Sequence, residues 1–266
     1  MREAAPGADA AQLAKGLRRL AHIGGPIQLQ RLPKILQSMQ PVSSLNTIDQ
    51  HLLTMLHLSL WGEWKPDSLE ESLLRLRQNP DHLQELLELL AYRYDEIASV
   101  APALTLPFLC PLELHAAYTR DEVLSGLGYW TIQTRPAMRE GVVQMKHLPA
   151  DVFFVTLNKT EESYSPTTMY ADYAINERLF HWQSQSQISE SSVTGQRYIH
   201  HARKNHTLLL FVREDKTKDN LAQPYLFLGP VTYRSHSGSR PMSIELELSY
   251  PIPARLLATA RRLAIS

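Results

Sequence analysis

One stretch of the chain, residues 164–186, combines aromatic, hydroxyl and amide side chains and contains few ordinary core residues. Aromatic rings stack on nucleic-acid bases, and amides and hydroxyls hydrogen-bond base edges and phosphates. The composition indicates a base-binding surface or, alternatively, a long loop whose rings plug the end of a barrel. The candidate residues are Tyr164, Ser165, Thr167, Thr168, Tyr170, Asp172, Tyr173, Phe180, His181, Trp182, Gln183 and Ser184.

A second polar stretch, residues 194–204, is rich in basic side chains. Its first residues would open a helix whose free amides bind a phosphate, although a solvated helix face has the same composition. Arg240 lies in a turn that contains Gly and Pro, where it would either insert toward DNA or cap the barrel. The candidate phosphate contacts are Thr194, Gly195, Arg197, Tyr198, Arg203, Lys204 and Arg240.

Recognisable catalytic motifs are missing from the sequence, including GxxxxGK[ST], GxSxG and HExxH. His200 and His201 are adjacent, so on a helix they diverge by about 100° and do not form a metal-ligand pair. Asp151, Lys159 and Glu161 come nearest to the carboxylate–lysine set of many nucleases, but ordinary strand-end charges explain them better. The sequence therefore predicts no catalytic residue, no metal site and no cofactor.

Apolar residues at helical spacing predict that residues 1–110 form a small helical bundle. Thr47 with Gln50, and Ser68 with Glu71, have the spacing of capping boxes, and Gly62 is a plausible helix stop. The prolines of residues 99–112 exclude a regular helix and mark the predicted domain boundary.

The second half, residues 115–266, predicts an α+β fold, a compact mixed β-barrel domain that follows the bundle. A capping-box helix at 119–128 would open it, and helices are expected at 195–205 and 252–265. Gly229 and Pro230 are expected to separate two strands. The predicted strands are 151–157, 207–212, 225–229, 231–235 and 243–250.

Composition places the chain among ordinary globular proteins, with a formal net charge of +0. Residues 1–114 contain 10 Lys and Arg against 13 Asp and Glu, whereas residues 115–266 contain 17 against 14. The second half thus permits a basic face without requiring one. The single cysteine, Cys110, excludes an internal disulfide. Without a signal peptide or a long apolar run, a cytoplasmic location without membrane association is expected.

Several long blocks, in order, resemble one known family. They are VTLNKTEESYSPTTMYADYAINERLFHWQSQS, TGQRYIHHARK, LLLFVRE, YLFLGPVTY and GSRPMSIELEL, preceded by HLSLWG and HAAYTRDEVLSGLG. The chain is similar to the C-terminal region of bacterial superfamily II helicase proteins that carry a phospholipase-D-type nuclease. The best understood of these are type IV restriction enzymes, phage-defence proteins that cut DNA bearing modified cytosine.

The resemblance implies that residues 1–110 are a coupler between motor and reader, and that residues 115–266 are the target-recognition domain. That domain is expected to be similar to SRA/PUA-like barrels, which flip a modified base into a pocket. The nuclease and helicase motifs of the family do not occur in this sequence. We therefore expect a fragment, a truncated reading frame or one subunit of a split system.

Two functional hypotheses follow, with DNA and with missing helicase or nuclease components as the expected partners. In the first, the chain is a DNA-binding module that reads a flipped cytosine. In the second, it is an interaction scaffold that docks a separate helicase or nuclease subunit through its leucine-rich half and binds DNA without specificity. An independent nuclease is a third, weaker alternative.

Overall fold

The computed structural model describes residues 9–62, 66–97, 103–136, 140–158, 172–218 and 221–262. The chain divides into two compact units, Met1–Ala137 and Met138–Ser266. The boundary predicted from the prolines of residues 99–112 lies earlier in the chain. The residues between these two positions belong to the first unit, so the β-rich unit begins later than predicted.

The first unit is helical. Its central helix, α3, is buried over most of its length and contacts four of the others, α1, α2, α4 and α6. Leucines supply most of its core. The elements are α1 (Ala10–Arg19), α2 (Pro26–Gln37), α3 (Thr47–Trp61), α4 (Leu69–Arg77), α5 (Pro80–Asp95), β1 (Ala117–Tyr118) and α6 (Arg120–Gly126).

Helix α6 belongs to this helical unit, although the sequence analysis assigned it to the second domain. Glu122 of α6 is completely buried, and its Oε2 lies 2.7 Å from Nε2 of His22. Gly126 leaves so little space that an added Cβ would lie 3.0 Å from side-chain atoms of Met55 and Leu112. The capping box correctly predicted the start of α6. The residues against which α6 packs lie in other segments, so the local sequence could not predict them.

Side-chain caps fix the starts of several helices. The capping box of Thr119 and Glu122 is confirmed, and the side chain of Ser68 accepts the N–H of Glu71 as predicted. At α3 the predicted cap, Thr47, is wrong: Asn46 is the N-cap. Asn46 is the cap because its side-chain oxygen accepts the free backbone N–H of Asp49.

The second unit is β-rich and contains a short 3-10 turn at Ala202–Lys204. The helices cover the face of the sheet that carries the main hydrophobic core. Its elements are β2 (Val142–Met145), β3 (Ala150–Thr156), β4 (Tyr173–Ala174), β5 (Leu179–Gln183), α7 (Val193–Ile199), β6 (Thr207–Arg213), β7 (Thr217–Lys218), β8 (Leu221–Ala222), β9 (Tyr225–Ser237), β10 (Ser243–Leu248) and α8 (Ala254–Arg262).

Seven of these strands form one mixed sheet in the order β2-β3-β6-β9-β10-β5-β4. Only β3 and β6 are parallel, and the other neighbours are antiparallel. The α+β class is therefore confirmed. The predicted barrel is not, because within the described residues β2 and β4 remain at opposite ends of the strand order.

Strand β9 runs without interruption from Tyr225 to Ser237, so the predicted break at Gly229 and Pro230 is wrong. Gly229 has a φ of 87°, and the pairing with β6 shifts register beside it. A bulge thus absorbs the turn-forming residues inside the strand. Within the part of the chain that the structure describes, no helix is long and apolar enough to cross a membrane.

Candidate nucleic-acid interface

Strand β5 separates the candidate residues into two groups, because successive side chains of a strand point to opposite faces. Phe180 and Trp182 belong to the hydrophobic core and are 0% and 5% exposed. His181 and Gln183 alternate with them and are partly exposed on the other face. Only this second pair is placed to meet a ligand without unpacking the core.

A row of polar side chains crosses this outer face over four strands. Tyr173, His181, Glu245 and Ser235 are neighbours in register from β4 to β9. The rings of Tyr173 and His181 stack, with their centroids 4.6 Å apart and their planes 11° from parallel. Ser235 Oγ donates a hydrogen bond of 2.8 Å to Glu245 Oε2.

A second row lies next to the first and contains Gln183, Ser243 and Ser237. The side-chain amide of Gln183 is 3.5 Å from Ser243 Oγ. Asp172 is buried and accepts the backbone N–H of Gln183 at 2.9 Å, so it positions this row. We call the two rows the polar face; it consists of Tyr173, His181, Gln183, Ser235, Ser237, Ser243 and Glu245.

Four other candidate residues have structural contacts instead. Trp182 stacks on Phe153 with ring centroids 4.5 Å apart, and Tyr198 packs against both rings. Ser184 is fully buried, where its backbone N–H and its hydroxyl oxygen both bond Met242. Phe180 lies in the same core. A base could stack on Trp182 only if this core opened.

The start of α7 differs from the predicted phosphate site. Ser192 is the N-cap, and its hydroxyl accepts the N–H of Gly195 at 3.0 Å. Gly195 is required for close packing, because a Cβ there would lie 2.0 Å from the carbonyl oxygen of Ser189. Thr194 is partly exposed one residue earlier. The amide proposed to bind phosphate is already used within the chain.

Arg197 is held by a buried carboxylate. Its Nε donates to Asp151 Oδ2 at 2.7 Å, and Nε2 of His206 lies 3.1 Å from the same oxygen. Asp151 is 0% exposed. Arg197 is therefore the counter-ion of Asp151. Only its N–H groups other than Nε could contact a phosphate.

His201 attaches residues 200–206 to β9 through one ring nitrogen and bonds within its own segment through the other. Its Nδ1 donates to the carbonyl oxygen of His206 at 2.9 Å, and its Nε2 accepts the backbone N–H of Tyr233 at 3.0 Å. These roles require the neutral ring with its proton on Nδ1. Burial lowers the pKa of His201 and favours that form.

The segment before α7 is attached to the β9–β10 hairpin. Tyr233 Oη lies 2.6 Å from Nδ1 of His236, whose Nε2 is 3.1 Å from Glu190 Oε2. Burial and the charge of Glu190 raise the pKa of Tyr233. The N–H of Arg240 donates to the carbonyl oxygen of Ile188 at 3.1 Å. These bonds and those of His201 hold residues 185–206 against the β9–β10 hairpin.

Four exposed cations lie in these connected segments: Arg203, Lys204, Arg234 and Arg240. Among the described residues, none of them forms an ion pair with a carboxylate. Arg234 is the extra residue where β9 shifts register against β10, next to Ser235 of the polar face. They are available for phosphate contacts.

Sequence reasoning missed five residues of this surface: Arg234, Ser235, Ser237, Ser243 and Glu245. The alternation of residues 243–250 did predict a half-solvated strand, and that signal places Glu245 on the outer face. The strands β4 and β5 were not predicted, because they are short and lie within the stretch interpreted as a binding loop.

Five candidates fall outside the described residues, as do Lys159 and Glu161 of the nuclease-like set. They are Tyr164, Ser165, Thr167, Thr168 and Tyr170. Among the residues that the structure does describe, no group of three or more His, Cys, Asp or Glu side chains could hold a metal ion.

The pattern of one protein family, described as "Domain of unknown function (DUF3427)", matches residues 112–259, more than half of the chain. The chain belongs to this family. No curated protein matches it. The DUF3427 region begins in the helical unit, before α6, and includes the whole polar face and all four exposed cations.

Proposed function

We propose that this DUF3427 protein binds DNA through its β-rich unit and acts as the target-recognition module of a modified-cytosine-directed restriction helicase–nuclease. The observation that carries the proposal is the polar face, where the stacked Tyr173 and His181 adjoin Gln183 and the exposed Arg234. Aromatic faces and amides are the groups with which proteins hold unstacked bases. The sequence resemblance supplies the restriction context.

In the proposed mechanism, the exposed cations hold the phosphate backbone while one base leaves the stack. Unstacking costs a few kcal/mol, and stacking on an aromatic side chain returns about 1–3 kcal/mol. Tyr173 and His181 would contact the face of the base, and Gln183 would bond its edge. Arg203, Lys204, Arg234 and Arg240 would set the register without reading sequence.

The proposal retains further expectations from the sequence. The β-rich unit is related to SRA/PUA-like domains, and the candidates between Tyr164 and Tyr170 contribute to the base site. The module itself does not cut DNA, so cleavage and ATP hydrolysis come from other domains or subunits. It works in the cytoplasm of a bacterial cell as part of phage defence.

The test is a fluorescence-anisotropy titration of the full chain with matched duplexes. They carry unmodified, 5-methyl or 5-hydroxymethyl cytosine at one position, at two salt concentrations. We expect a modified duplex to bind about tenfold more tightly, and Tyr173→Ala to reduce that preference. Equal, salt-sensitive binding of all three duplexes would leave only a generic DNA-binding module, and no binding at low salt would refute the proposal.

A second candidate function is docking of a separate helicase or nuclease subunit by the helical unit. Exposed aromatic residues on α5 favour it: Tyr92 is 60% and Tyr94 is 44% exposed, and Ile27 of the neighbouring α2 is also exposed. The charge substitutions Tyr92→Asp and Tyr94→Asp should abolish co-purification of a helicase or nuclease while leaving DNA binding intact. Unchanged co-purification would count against docking at this surface.

A further inference from the structure

The polar face contains one carboxylate in its first row, Glu245 of β10. It lies between His181 and Ser235 in register and is partly exposed. An ionised carboxylate only accepts hydrogen bonds, and it repels the phosphates that nearby cations attract. On a DNA-binding surface, such a group lowers affinity unless the ligand offers it a hydrogen-bond donor.

The neighbours of Glu245 hold its carboxylate in a defined position. Ser235 Oγ donates to Oε2 at 2.8 Å across the β9–β10 pair. On the other side, His181 is its register partner and stacks on Tyr173. A fixed acceptor beside a stacked aromatic pair is a suitable arrangement for recognising the edge of a planar ring.

We propose that Glu245 accepts a hydrogen bond from the exocyclic amino group of the base read on the polar face, so that this face accepts the cytosine of the proposed target and rejects thymine. The inference rests on the DNA binding proposed above and assigns its base specificity to one residue. Ser235 is a positioning residue, because it acts on the base only through Glu245.

Donor and acceptor chemistry explains why this residue would select cytosine. Cytosine presents an amino group at position 4, which pairs with Glu or Asp. Thymine has a carbonyl oxygen at this position, and two acceptors, this oxygen and the carboxylate of Glu245, repel each other. Thymine and 5-methylcytosine carry the same methyl group, so comparing them isolates the amino edge.

The chain offers a matched control on the same strand. Glu247 lies two residues further along β10 on the same face, outside the two rows of the polar face; it pairs with Leu179 and is exposed. Glu245→Gln and Glu247→Gln remove the same charge from the same strand. A general electrostatic effect on DNA affinity should appear in both variants, whereas loss of base selection should appear only in Glu245→Gln.

The experiment measures binding of the full chain to two duplexes that carry either 5-methylcytosine or thymine opposite the same guanine. The T·G mismatch opens more easily, so the comparison is biased against the proposal. We expect the wild type to prefer 5-methylcytosine by about tenfold or more. Glu245→Gln should reduce the preference to within about twofold, and Ser235→Ala should reduce it partly, with rescue by Ser235→Thr.

The outcomes separate this inference from the proposed function. If the wild type binds DNA and Glu245→Gln keeps the full preference, or Glu247→Gln loses it too, Glu245 does not read the base and the DNA-binding proposal stands. Binding of both duplexes equally by the wild type overturns the inference as well. If the wild type binds neither duplex, both proposals fail. Thermal unfolding of each variant near the wild-type temperature shows that the fold is intact.

Discussion

Adjacent side chains on β5 have different roles, one in core packing and one on the polar face, because strand alternation places them on opposite faces of the sheet. Trp182 packs on Phe153 in the core, whereas His181 stacks on Tyr173 outside it. We expect Trp182→Ala to lower the free energy of unfolding by about 3–5 kcal/mol. His181→Ala should change it by less than about 1 kcal/mol while weakening DNA binding. Urea denaturation and anisotropy measure the two effects.

His201 supports a second prediction for a single residue. His201→Ala would leave the partly buried N–H of Tyr233 and the carbonyl of His206 without their ring partners, at a cost of about 1–3 kcal/mol. Because burial lowers the pKa of His201 below its usual 6.5, the unfolded state binds the proton more readily. This stabilisation is present above pH 6.5 and is lost as the pH falls below it.

Urea midpoints measured from pH 5 to 8 test this behaviour, and we expect His201→Ala to flatten the decline on the acid side. His147, which is exposed, offers a control substitution. An acid decline that is the same in the wild type and in His201→Ala would assign the proton uptake to another group.

At the scale of elements, the contact of His22 with Glu122 joins the loop after α1 to the start of α6. Burial alone would lower the pKa of His22, but the charge and hydrogen bond of Glu122 outweigh it and raise that pKa. For Glu122, burial opposes ionisation, yet His22 and the cap bonds of Thr119 lower the pKa. One carboxylate thus caps a helix and fixes a distant loop.

The two pKa shifts define a pH window for this junction. The His22 contribution is complete below pH 6.5 and is lost as the pH rises through its raised pKa. The Glu122 contribution is complete above pH 4.5 and is lost as the pH falls through its lowered pKa. We expect Glu122→Gln to destabilise the chain by about 3 kcal/mol within that window, and by less on either side. A pH-independent difference in urea midpoints would exclude an ionic origin.

The elements also show which parts of the fold local sequence specifies. Leucine spacing predicted α3, α4 and α5, and the apolar runs predicted β3 and β6, because each signal lies within one segment. The openness of the sheet and the membership of α6 depend on partners distant in sequence. Tyr173, His181 and Gln183 were recognised by residue type, but their separation from Trp182 follows from the strand β5, which the sequence did not predict.

At the scale of the whole molecule, charge is distributed unequally although the total is +0. The family match extends across both units, whereas the exposed cations of the proposed interface all belong to the β-rich one. Lys15 and Arg18 on α1 are exposed too. If the β-rich unit alone contacts DNA, removing these two cations should not change how salt weakens binding.

The salt dependence of DNA affinity measures how many phosphates the protein neutralises. Each phosphate neutralised on duplex DNA contributes a slope of about −0.9 to the dependence of log affinity on log salt, so four cations predict a slope of about −3.6. Arg203→Ala with Lys204→Ala should make that slope shallower by about 1.8 units without altering the preference for modified cytosine. Lys15→Ala with Arg18→Ala is the matched control, and an equal loss of slope there would place the phosphate contacts on both units. The slope thus reports where the backbone lies, independently of which base the polar face reads.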